Sequence, residues 1–143
     1  MSVKEIIDAL CAIALRQPAV GTVVENDVYR LNGIPDVKYG VFAYVQGRHT
    51  VDLLANQATV RLTLFYVDRV DTADRSETYV QSTGVDVLTN IVRTFLNKYE
   101  QDLGGDLTIQ PFKERFVDDC AGDFAEVEII TDAYEGCEDE FEI

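Results

Sequence analysis

The chain has 143 residues, 47% of them hydrophobic, and a formal net charge of −14. That length and apolar content suit one packed domain and exclude general disorder, while the charge repels phosphate and argues against tight nucleic-acid binding through counterion release. No apolar run approaches the ~18 residues of a membrane span, and three cysteines without a C-x-x-C, beside the single His49, argue against a disulfide framework or a zinc site.

Val3, Ile6, Ile7, Leu10, Cys11, Ala14 and Leu15 recur at helical spacing. Ser2 and Glu5 form an S-x-x-E capping box ahead of them, and Pro18 sets the stop. Lys4, Asp8 and Arg16 occupy the opposite face. Charges interleaved in this way do not make a signal peptide, so the chain is expected to stay where it is made, with its thiols reduced. Residues 20–25 and 28–31 read as short β pieces around Asn26-Asp27, a weak hairpin signal. Asn32-Gly33-Ile34-Pro35-Asp36 is a turn cluster. Residues 39–48 read as an inner strand, with Val41, Ala43 and Val45 on one face and Phe42, Tyr44 and Gln46 on the other. Residues 47–56 read as a projecting loop or a wide hairpin arm.

Residues 58–70 alternate as a long strand. Val60, Leu62, Leu64, Tyr66 and Asp68 share one face, and Thr59, Arg61, Thr63, Phe65, Val67 and Arg69 the other. At ~3.3 Å per residue it spans roughly 40 Å, long for a domain of this size. Val85, Leu88, Ile91, Val92, Phe95, Leu96 and Tyr99 then mark a helix over residues 82–99, started by Thr83 and Asp86, with Ser76 as a rival start. Residues 107–116 form a strand that Pro111 restricts to an edge or a bulge. Residues 124–131 form its hairpin partner, anchored by Phe124, Val127 and Ile129 with Glu126 and Glu128 facing water. Residues 117–123 read as the turn between them. Residues 132–143 carry Asp132, Glu135, Glu138, Asp139, Glu140 and Glu142 without a basic residue and read as an acidic C-terminal tail. The expected fold is α+β over residues 1–131, an antiparallel sheet of about four to five strands with two helices packed on one face.

No residue pattern specifies catalysis. Asp68, Asp71 and Asp74 lack the alternation of a calcium loop and read as solvated turn charges, as do Asp118 and Asp119. Cys120 and His49 have no local nucleophile signature. No phosphate-cradling glycine loop is present, and Gly84 reads as a small residue that lets its helix approach the sheet. Tyr39, Phe42, Tyr44, Phe65 and Tyr66 read as core or subunit-interface aromatics rather than a base-stacking platform, because only Arg48, Arg61 and Arg69 lie near them. No cofactor and no metal is expected.

Three segments together carry a resemblance: residues 62–70 (Leu-Thr-Leu-Phe-Tyr-Val-Asp-Arg-Val), residues 79–92 (Tyr-Val-Gln-Ser-Thr-Gly-Val-Asp-Val-Leu-Thr-Asn-Ile-Val) and residues 111–122 (Pro-Phe-Lys-Glu-Arg-Phe-Val-Asp-Asp-Cys-Ala-Gly). They resemble small structural proteins encoded in the tail-module regions of tailed bacteriophages and prophages of gut Bacteroidetes. The element order is similar to that of tail-terminator and head–tail connector proteins. The resemblance implies a virion protein, assembled in the bacterial cytoplasm, that forms a ring, commonly hexameric. Such a ring would cap the tail tube or join it to the neck and portal side, with DNA passing through an anionic lumen rather than binding. It carries over no catalytic residue. The expected assembly surface is the outer end of the long strand with residues 47–56, and Arg48, His49, Arg61, Phe65 and Arg69 are the candidate subunit-interface residues. The alternative is a non-viral α+β adaptor or protein-binding module, also without catalysis.

Overall fold

The computed structural model describes residues 1–71, 75–115 and 118–133. Its centre is the strand read most clearly from sequence, Gln57–Arg69. Numbered in chain order, the elements are α1 (Val3–Leu15), β1 (Thr22–Val24), a 3₁₀ segment (Val28–Gly33), β2 (Val41–Gln46), β3 (Thr50–Asp52), β4 (Gln57–Arg69), α2 (Glu77–Tyr99), β5 (Asp102–Leu103), β6 (Ile109–Arg115) and β7 (Asp119–Asp132).

The architecture is α+β, and among the described residues the sheet has seven strands in the order β1-β2-β4-β7-β5, with β3 beside β4 and β6 beside β7. It is mixed rather than antiparallel throughout, because β1 runs parallel to β2 (Thr22 opposite Val41, Val24 opposite Ala43). Parallel neighbours need a crossover, and residues 25–40 provide it. Residues 28–31 are therefore not a strand. The Asp27 carboxylate accepts from the Tyr29 amide at 2.9 Å and caps the 3₁₀ segment instead. Asn26, at φ 58°, turns the chain into it.

α1 begins as its sequence dictates. Ser2 Oγ accepts from the Glu5 amide at 3.1 Å, and the Ser2 amide donates to Glu5 Oε1 at 3.0 Å. α2 begins earlier than residue 82. Ser76 Oγ accepts from the Tyr79 amide at 3.1 Å, whereas Thr83 Oγ1 donates back to the Tyr79 carbonyl at 3.0 Å from inside the helix. The extra turns shift the buried stripe to Val80, Gly84, Val87, Leu88, Ile91, Val92 and Phe95, and Val85 is exposed. Gly84 is the point of closest approach to the sheet. A Cβ there would collide with Asp123 Oδ2 and lie 3.0 Å from Tyr66 Cδ1.

Both helices lie on one face of the sheet and bury Phe42, Tyr44, Val60, Leu62, Leu64, Tyr66, Ala125, Val127 and Ile129 beneath them. The 3₁₀ segment covers one end of the other face, over Val24, Val41, Ala43, Val67 and Cys120. β7 starts at Asp119, so residues 119–123 are strand rather than turn. Gly122 is there because a Cβ would overlap the Tyr66 carbonyl oxygen. Asp132, expected to open the acidic tail, is the last residue of β7 and stands opposite Gln57. The rest of the expected tail, 134–143, lies outside the described residues. Pro111 sits on β6, which among the described residues pairs only with β7.

Candidate assembly surface

Residues 47–56 do not form an open loop. They fold back as β3 against β4, with Thr50 opposite Thr59 and Asp52 opposite Gln57. Asp52 Oδ1 accepts from the Leu54 and Ala55 amides, both at 3.1 Å, and closes an Asx turn. Asn56 completes it at φ 53°. The turn holds two leucines in water: Leu53 is 86% exposed and Leu54 101%. Val51, on the same hairpin, is exposed as well.

Arg61 braces the hairpin. Its guanidinium donates from Nη1 to the Arg48 carbonyl at 3.0 Å and to Thr50 Oγ1 at 2.6 Å, and from Nε to Glu128 Oε1 at 3.1 Å. The Arg61 amide donates to His49 Nδ1 at 3.2 Å, and His49 Nε2 lies 3.0 Å from Gln46 Oε1. Arg48, His49 and Arg61 are thus brought together at one end of β4, where they support the hairpin. Phe65 stands further along the outer face. Its ring packs edge-on against Phe112 at 6.0 Å and tilted against Phe124 at 6.1 Å. Phe124 therefore shares a face with Glu126 and Glu128 rather than with Val127 and Ile129. Arg69 sits at the far end over the Tyr39 ring, 5.6 Å from its centroid. Of the five candidate interface residues, three gather at the hairpin, while Phe65 and Arg69 stand apart from them and from each other along the strand. Sequence reasoning did not single out Leu53 and Leu54. The available signal was an adjacent apolar pair between Asp52 and Ala55-Asn56, inside a connection.

The remaining chemical candidates come apart or are used internally. His49 is beside Arg61, while Cys120 stands opposite Arg69, eight residues along β4 and so roughly 26 Å away. Cys120 is buried, and burial pushes its thiol up to about 11. Asp68 is not a solvated turn charge. It is 7% exposed, and Arg75 Nη1 donates to its two oxygens at 3.1 and 3.0 Å. Asp71 and Arg75 bridge through their backbones, and Asp74 lies outside the described residues. Among the described residues no three His, Cys, Asp or Glu side chains gather as metal ligands. No helix there is long and apolar enough to cross a membrane.

Asp123 has the most unusual environment. It is 1% exposed beneath α2, and its Oδ2 has no hydrogen-bond partner among the described residues. Burial pushes its carboxyl up to about 6. The chain matches no protein-family model and no curated protein.

Proposed function

We propose that the chain is a non-enzymatic structural protein of a tailed-phage virion that assembles into a ring, commonly hexameric, at the tail end or neck. Its partners in this reading are further copies of itself and the tail tube or portal-side proteins, and DNA passes through without binding. The observation that carries the reading is the β3–β4 hairpin, which holds Leu53 and Leu54 in water on a turn braced by Arg61. Fully burying two leucines contributes about 3–6 kcal/mol, and with the exposed Val51 they make an adjoining apolar patch of the kind that marks an interaction site. An enzyme would place its ordered polar groups around a substrate, but here the ordered cluster of Arg48, His49, Arg61 and Glu128 supports a hairpin. The acidic balance of −14 suits a channel that DNA must cross without sticking. Light scattering coupled to gel filtration tests this reading, together with cosedimentation on purified tail tubes. Concentration-dependent rings or recruitment to tubes are expected. A strict monomer that ignores tubes sinks the reading and leaves the adaptor alternative.

A further inference from the structure

The hairpin leucines have a counterpart on the opposite side of the molecule. On the helix face, α2 and the chain entering and leaving β5 enclose a groove of about 260 Å³ lined by Thr89, Val92, Arg93, Leu96, Leu103 and Leu107 among others. Its floor is aliphatic, and Arg93 is its one charged lining residue among the described residues. Arg93 is exposed and makes no ion pair among the described residues. The hairpin carries the opposite sign beside its leucines. Asp52 uses Oδ1 for the turn, and its Oδ2 is not engaged among the described residues. Knob and groove lie at the same end of the sheet but on opposite edges. β3 flanks β4, β5 flanks β7 beside Ile129 and Ile130, and β4 and β7 stand between them. A chain therefore cannot seat its own leucines in its own groove.

We propose that Leu53 and Leu54 of one copy insert into the groove between α2 and β5 of the next, with Asp52 meeting Arg93 at the rim. The occupant is a second copy of this chain. Two different patches make the contact, so it is heterologous, and repeating it with a closing rotation gives a ring rather than a two-fold dimer. This inference rests on the assembly reading above and names the surfaces that carry it.

Leu54→Asp places a charge on the knob, and Thr89→Arg fills the groove from a half-buried helix position that lines it, where arginine keeps good helix propensity. Circular dichroism and the thermal midpoint of each variant verify that it folds. The full chain is then followed by light scattering across a concentration series. Wild type is expected to assemble, and each variant alone to need about 30-fold or more concentration to do so. An equimolar mixture of the two variants is expected to form a 1:1 dimer and nothing larger, because it holds one intact knob and one intact groove. Arg93→Glu is expected to weaken wild-type assembly about 5-fold, and Asp52→Asn, which keeps the turn acceptor, by less. A wild type that assembles while both variants assemble equally well overturns the knob and groove but not the assembly reading. Loss of assembly in Leu54→Asp alone, with Thr89→Arg normal and no mixed dimer, assigns a knob-to-knob contact and overturns the groove. Assembly abolished by deleting residues 134–143 but untouched by Leu54→Asp makes that segment the occupant and equally overturns the proposal. A wild type that remains monomeric at every concentration overturns the inference, and it overturns the reading as well only when the protein also ignores tail tubes.

Discussion

At the scale of single residues, Asp123 and Gly84 define each other. The carboxylate is buried under the helix turn that contains Gly84, and a side chain at residue 84 would strike it. No cation faces it from β4, where Tyr66 is its register partner and Asp68 is already held by Arg75. Oδ2 is shut off from water with no donor among the described residues to replace it, so the neutral form is favoured and the carboxyl rises from 3.8 to about 6. The folded chain therefore holds this proton more tightly than the unfolded chain. Asp123 carries no penalty below the unfolded value, and its cost grows as the pH climbs through the folded value. Asp123→Asn is expected to raise stability at pH 7.5 by up to about 3 kcal/mol, and the gain should vanish near pH 4. Chemical unfolding of both proteins at several pH values measures this, and a difference independent of pH would refute it. Nothing in the sequence marked Asp123. It read as the end of a turn, because Cys-Ala-Gly-Asp looks like a loop until the crowding at Gly122 and the burial at Ala121 are known.

At the scale of elements, strong periodicity translated directly into structure. The S-x-x-E box placed the start of α1, and the alternation of β4 separated its two faces correctly. β3 and β5, of three and two residues, are too short to alternate visibly and went unread, whereas β1 falls inside the short β piece read at residues 20–25, so the sheet was undercounted. β7 was assigned the wrong phase around Phe124, because an apolar residue on the outer face, held by Phe65 and Phe112, looks like a core residue in one dimension. Two capping signals competed at the start of α2, and Ser76 won because Val80 and Gly84 continue the buried stripe back to it. Ser76→Ala is expected to cost about 1 kcal/mol, whereas Thr83→Ala should change stability by less than about 0.5 kcal/mol. Paired thermal melts decide this, and a larger loss at Thr83 would place the helix start at the later site. The hairpin was legible as a possible arm. Its leucine tip was not, because exposure follows from the turn that Asp52 closes rather than from the residues themselves.

At the scale of the whole molecule, the class was legible and the topology was not. The parallel pairing of β1 with β2 depends on a crossover through the 3₁₀ segment, which no local pattern announces. Charge acts at this scale too. Each chain carries −14, so copies brought side by side repel one another. Raising sodium chloride from 0.05 to about 0.5 M shortens the screening length several-fold and should strengthen self-assembly, even though it weakens the Asp52–Arg93 rim pair. Sedimentation across that salt range measures the effect, and assembly that dissolves with added salt would point to ion pairs rather than leucines as its basis. The pairing of β4 with β7 has a different consequence. Residues 57–69 face residues 120–132 along their whole length, with α2 and two strands intervening in the chain. A ribosome must deliver almost all of the described chain before β4 gains that neighbour. The newly made polypeptide therefore holds an apolar, half-paired strand for much of its synthesis, and this non-local closure favours slow folding and transient contact with chaperones.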